Sequence, residues 1–134
     1  MNALGPFDGL MGFSQGGIIF RHFYRITQLV APEDFAIQQM PKFVIFVASP
    51  VYKNMVLNYK GNKYPHTDEP ILPMPSLHIN GTKDYLYDKL TAHQLFKPES
   101  KPVVIEFDDG HRFPRKLGDA EFKQMTDFLR TQYE

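Results

Sequence analysis

Residues 7–17 read Phe7-Asp8-Gly9-Leu10-Met11-Gly12-Phe13-Ser14-Gln15-Gly16-Gly17, an apolar run that passes through Gly-x-Ser-x-Gly into an amphipathic stretch. Phe7 to Met11 suits a strand, and Gly17 to Leu29 suits a helix. In that context the pentapeptide marks a nucleophile elbow, a strand-to-helix turn so tight that the serine projects alone from its apex. Glycines are expected at 12 and 16 because a Cβ at either would collide with neighbouring backbone. Gln15 opens the helix, where its backbone N–H has no intrahelical partner and can serve as an oxyanion donor. The competing reading makes Ser14 an ordinary N-cap in a Gly/Ser turn.

A nucleophilic serine needs a base and an orienting acid, which this kind of sheet supplies in the chain order Ser, Asp or Glu, His. Pro75-Ser76-Leu77-His78-Ile79-Asn80-Gly81 reads as a strand followed by Thr82-Lys83-Asp84. Pro102-Val103-Val104-Ile105-Glu106-Phe107 reads as another, followed by Asp108-Asp109-Gly110-His111. Both groups follow strand ends, the edge where open α/β sheets gather their functional side chains. Asp84 is the expected acid and His111 the base. Asp108 and Asp109 compete for the acid's place, but lie so near His111 that they would have to fold back beneath its loop.

Between these segments the chain alternates strand and helix. Ile19, Phe23, Ile26 and Val30 recur at helical spacing and predict one apolar face, ended by Ala31-Pro32-Glu33-Asp34. Lys42 to Ala48 is a continuous β-branched and aromatic run, as expected of a strand buried on both faces of a parallel sheet. Asp119 can cap a last helix lined by Phe122, Met125 and Leu129 and widened by Phe128. Residues 49–75 carry Pro50, Pro65, Pro70, Pro73 and Pro75 among apolar and aromatic side chains. They predict either a cap arching over Ser14 and suited to an acyl chain, or a short packed helix from Tyr52 to Tyr59. Pocket-lining candidates are Phe13, Tyr52, Met55, Val56 and Tyr85.

Composition narrows the classes. At 134 residues one domain is expected, able to bury about two-thirds of its unfolded surface. Lys and Arg total 15, Asp and Glu 15, so no electrostatic footprint for nucleic acid or an anionic membrane appears. The absence of cysteine removes disulfides and thiolate zinc sites. His22, His66, His78 and His93 show no metal-ligand spacing, and Asp88 reads as the N-terminal acid of a helix that carries His93. Phosphate-loop and dinucleotide patterns are absent. No segment reaches the roughly 20 apolar residues of a membrane span, and no secretory leader is evident. Neither metal nor cofactor is expected, and the cytoplasm is the default location.

Gly5-Pro6-Phe7-Asp8-Gly9, Gly12 to Gly16, Leu77-His78-Ile79-Asn80-Gly81-Thr82-Lys83-Asp84 and Gly110-His111-Arg112-Phe113-Pro114 together resemble the fungal-type serine hydrolase family. The resemblance runs from about Gly5 to Leu129. It implies an α/β-hydrolase acting on carboxylic esters or thioesters, with Ser14 as nucleophile, Asp84 as acid and His111 as base. The chain departs at Asp109, where a second glycine is common, and at Tyr85, where a proline often follows the acid. The resemblance also implies further βα units ahead of the elbow, one of whose loops completes the oxyanion hole.

The expectation is therefore a partial α/β-hydrolase fold. Residues 1–134 form a single, N-terminally shortened domain with a mostly parallel sheet of about four strands and flanking helices. A nucleophile strand left unpaired would expose an edge through which the chain self-associates. The expected function is hydrolysis of a small-molecule ester or thioester through an acyl-enzyme. One alternative is a relative of acyl-protein thioesterases and lysophospholipases, whose elbow also reads Gly-Phe-Ser-Gln-Gly-Gly. The His111-x-x-Pro114 tail argues against it. The other is an impaired remnant acting only as an interaction module.

Overall fold

In the order of the chain the elements are β1 (Gly9–Phe13), α1 (Gln15–Tyr24), β2 (Phe43–Val47), β3 (Val56–Tyr59), β4 (Asn62–Pro65), β5 (Ser76–Gly81), β6 (Val103–Phe107) and α2 (Asp119–Thr131). The structure is a computed structural model that describes residues 7–36 and 39–134. Gly5 and Pro6 of the Gly-Pro-Phe-Asp-Gly lead-in lie outside the described residues.

All residues of β2 and β5 are buried, and these strands form the centre of a parallel four-stranded sheet ordered β1-β2-β5-β6. Strand alternation divides the β2 side chains between two cores. Val44 and Phe46 pack with Phe20 of α1 and with Leu72, Leu95 and Phe96. Phe43, Ile45 and Val47 face the other way, onto Leu77, Ile79, Ile105 and Phe128 of α2. The helices therefore cover opposite faces, as a parallel sheet requires. The outer strands are only half covered: in β6, Ile105 and Phe107 are buried while Val104 and Glu106 are exposed.

The phase of α1 differs from the prediction. Ile18 and Phe20 are buried, whereas Ile19 is 68% exposed. A Cβ on Gly17 would come within 2.5 Å of the Ser49 hydroxyl, so the glycine lets the helix backbone press onto the chain after β2. That close approach turns residues 17, 18 and 20 inward. Beyond Tyr24 the helix continues as a π-helical turn, Arg25–Val30, in which the Thr27 hydroxyl donates to the Phe23 carbonyl at 2.8 Å.

The last helix also departs from its predicted stripe. Phe128 is buried against Phe43, with Met125 and Leu129 half-buried beside that core, but Phe122 is 56% exposed. Six residues of α-helix rotate the chain so that Phe122 lies about 120° around from Phe128. The N-cap is Gly118, without a side-chain bond, and Asp119 sits inside the first turn, where its charge complements the helix dipole.

Within residues 49–75 the predicted helix from Tyr52 to Tyr59 does not form. Strands β3 and β4 pair antiparallel across Lys60 and Gly61, whose φ values of 50° and 79° suit a two-residue hairpin turn. The helix expected after Asp88 is likewise absent. Short 3₁₀ turns at Tyr87–Lys89, Ala92–Leu95 and Pro98–Ser100 take its place and drop Leu90, Leu95 and Phe96 into buried positions. Among the described residues, no helix is long and apolar enough to cross a membrane.

Candidate active site

Strand β1 ends in a turn whose apex is Ser14, held at φ 54° and ψ −113°. Such a conformation is costly for a residue with a Cβ and persists only where the surroundings impose it. Here the Ser14 N–H donates to the Val47 carbonyl at 2.8 Å, extending the β1–β2 ladder through the apex. Gly12 is required beneath the turn, because a Cβ there would lie 2.8 Å from the Gly16 carbonyl carbon and 2.9 Å from the Gly17 nitrogen. Gly16 is different: a Cβ added there meets nothing within 4 Å, so the collision expected on that flank does not occur.

The Ser14 side chain makes no helix-capping bond. Its Oγ lies 2.9 Å from His111 Nε2, and His111 Nδ1 lies 2.7 Å from Asp84 Oδ2. A carboxylate only accepts hydrogen bonds, so Nδ1 carries the imidazole proton and Nε2 presents its lone pair to the serine hydroxyl. The Asp84 side chain is fully buried and that of His111 is 18% exposed. The remaining acid oxygen, Oδ1, accepts the Leu86 N–H at 2.8 Å. Both carboxylate oxygens are thus engaged, which fixes the acid under the ring.

Main-chain bonds bring acid and imidazole together. Thr82 N–H donates to the Phe107 carbonyl at 2.9 Å and Lys83 N–H to the Asp109 carbonyl at 3.0 Å, joining the loops that follow β5 and β6. The competing carboxylates are occupied elsewhere. Asp108 pairs with Lys83 at 3.1 Å. Asp109 accepts the Gly110 N–H at 2.8 Å and faces Arg112 and Arg115. Chiefly that amide bond, with the two arginines assisting, holds Asp109 below the usual carboxylate range.

Aromatic rings flank the imidazole. Phe13 lies 5.2 Å from His111 between centroids and Tyr85 lies 5.3 Å from it. Phe113 stacks on Phe13 at 5.0 Å and 23°. Phe113 belongs to the Gly110–Pro114 motif but is not among the pocket candidates, and its one signal is an aromatic side chain two positions after His111. Among the described residues the rings that meet the imidazole are Phe13 and Tyr85, and Tyr52 is not one of them. Met55 N–H closes a turn onto the Tyr52 carbonyl, and Val56 pairs with Pro65 in the hairpin.

The other histidines lie apart from this chain of bonds. His78 is buried in β5 against Ser76, at 2.9 Å, and burial, aided by His93, pushes its pKa down to about 3. His66 contacts Asp68 at 3.0 Å. Among the described residues no cluster of three or more His, Asp or Glu side chains could hold a metal ion.

A family model described as serine hydrolase (FSH1) matches residues 1–123. The chain is 33% identical over 117 residues to a dihydrofolate reductase of Schizosaccharomyces pombe, covering 87% of this chain and 24% of that protein. It is 30% identical over 114 residues to the esterase OVCA2 of Mus musculus, covering 85% and 45% respectively. To Family of serine hydrolases 3 of Saccharomyces cerevisiae it is 28% identical over 116 residues, covering 82% and 40%. The chain therefore spans less than half the length of each of these relatives. Its parallel sheet with flanking helices corresponds to part of an α/β-hydrolase fold.

Proposed function

This chain belongs to the serine hydrolase (FSH1) family, and we propose that it hydrolyses carboxylic esters or thioesters through Ser14, His111 and Asp84. The observation that carries this reading is the unbroken run of hydrogen bonds from Ser14 Oγ through His111 to Asp84, at 2.9 and 2.7 Å. As Ser14 Oγ attacks the carbonyl carbon, its proton passes to His111 Nε2 and the carbonyl oxygen takes the negative charge. The Gln15 backbone N–H, at the N-terminus of α1, is one donor to that oxyanion. Collapse of the tetrahedral intermediate breaks the bond to the leaving group, which takes the proton from Nε2. Water then repeats the sequence on the acyl-enzyme, releasing the acid and restoring Ser14 Oγ–H.

Asp84 holds the imidazole in the tautomer that accepts from serine and stabilises the imidazolium that forms. A fluorophosphonate probe tests the assignment. It should label Ser14 and leave Ser14→Ala unlabelled. Labelling at another serine, or equal labelling of the alanine variant, overturns it.

A further inference from the structure

We propose that Phe13, Phe113 and Tyr85 form a recognition surface for the alcohol portion of the substrate, and that it favours esters of aromatic alcohols. This inference rests on the hydrolase reading above and names a substrate class for the same site.

All three side chains expose apolar surface: Phe13 is 36% exposed, Phe113 47% and Tyr85 80%. None of them belongs to either buried core. Instead they gather beside the imidazole, two directly and one through Phe13. Phe13 and Tyr85 both meet the His111 ring, and Phe113 extends the Phe13 face as a stack. Exposed apolar side chains gathered around a partly exposed imidazole mark a binding surface rather than scattered surface hydrophobicity.

The chemistry decides which half of the ester meets them. His111 Nε2 must deliver its proton to the leaving oxygen, so the alcohol substituent lies on the imidazole side of the reacting carbon. The carbonyl oxygen turns toward the Gln15 N–H at the start of α1, and the acyl group takes the remaining position, away from the imidazole. Phe13 and Tyr85 beside His111, and Phe113 stacked on Phe13, therefore lie on the alcohol's side of the reacting carbon. Their geometry also decides its kind. Aromatic rings prefer offset stacks or edge-to-face contacts with centroids about 4.5–7 Å apart, and Phe13 and Phe113 already hold such a stack at 5.0 Å. A third ring can continue it. A saturated ring of the same size gains the buried area but not the stacking geometry.

The test compares kcat/KM for benzyl acetate, cyclohexylmethyl acetate and ethyl phenylacetate, three esters whose alcohols are of similar basicity. The parent chain should prefer benzyl over cyclohexylmethyl acetate by roughly three- to ten-fold. Phe113→Leu should abolish that preference and Phe113→Tyr should retain it. Both acetates are read on one preparation, so their ratio is insensitive to the fraction of folded protein. A parent chain labelled at Ser14 but showing no benzyl preference overturns this inference alone. So does a Phe113→Leu variant whose losses are equal on all three esters, or confined to ethyl phenylacetate. A parent chain that neither labels at Ser14 nor turns over any of the esters overturns the hydrolase reading, and this inference with it.

Discussion

Gly81 passes so close beneath Asp109 that a Cβ at 81 would overlap the Asp109 carbonyl oxygen. This contact sits at the end of β5, three residues before Asp84 and beside the loop that carries His111. The obstructing atoms are main-chain atoms, which cannot swing aside as the tip of a side chain could. Residue 81 therefore sets how closely the loops that carry Asp84 and His111 approach.

Gly81→Ala should push those loops apart and misplace Asp84 relative to His111. Misplacement on the order of 1 Å can cost about a hundred-fold in rate, and overpacking typically costs about 1–3 kcal/mol. Fluorophosphonate labelling of Ser14 should slow accordingly, and Tm should fall. Gly110→Ala is the control, because the nearest atom to its added Cβ, the Lys83 carbonyl oxygen, is 3.8 Å away. If Gly81→Ala labels at the parent rate, loop approach does not govern the site.

Asp84→Asn should lower kcat for p-nitrophenyl acetate by about 10⁴-fold, the scale expected when the imidazole is held in the wrong tautomer. The asparagine amide can donate to Nδ1, which leaves the proton on Nε2 facing Ser14. Asp109→Asn should change kcat far less, since Asp109 is engaged by Gly110 N–H, Arg112 and Arg115. The reverse ranking of the two variants would assign the acid's role to Asp109.

Acid should destabilise the fold through His78. Its pKa is lowered from 6.5 to about 3 by burial, aided by His93, so between those values the unfolded chain binds the proton that the folded chain refuses. The depressed value contributes stability that is present above about pH 6.5 and lost as pH falls toward 3. From pH 7 to 5 the loss should be about 2 kcal/mol. Urea midpoints at the two pH values measure it. Replacing His78 by Phe together with Ser76 by Ala, which removes both members of the buried bond, should flatten the slope. An unchanged slope in that double variant would place the titration elsewhere.

The elements legible in the sequence are those in which composition and burial coincide. The run from Phe43 to Val47 has no polar interruption and can only be a central strand. That Ser14, Asp84 and His111 meet was legible because chain order and strand-end placement restrict which residues can come together. What failed depended on packing partners distant in sequence. The phase of α1 is set by Gly17 against Ser49, which no periodicity reveals. The hairpin turns through Lys60, at a positive φ that lysine seldom adopts, so its turn signal is weak. In β5, Ser76 and His78 are polar positions within a strand that are nonetheless buried and bonded to each other, a pairing visible only in the fold. Phe113 shows its place only once Phe13 and His111 are brought beside it.

The unpaired side of β1 should drive self-association. Among the described residues β1 hydrogen-bonds only to β2. Met11 is 56% exposed and Ile19 68%, and a hollow of about 320 Å³ lies against that flank, lined mainly by Leu10, Met11, Ile19, Phe20 and Phe23. An exposed strand edge with apolar side chains beside it is a template for pairing with another chain, and a second copy of this chain brings an equally unsatisfied edge. Sedimentation velocity over a range of concentrations should show a dimer or larger species that dissociates on dilution. Met11→Lys and Ile19→Lys place a charge at exposed positions, where substitutions usually change stability by no more than about 0.5 kcal/mol. They should shift the equilibrium toward monomer without unfolding the chain. A parent chain that sediments as a monomer at every concentration, or lysine variants that associate as strongly as the parent, would show that this edge is not used.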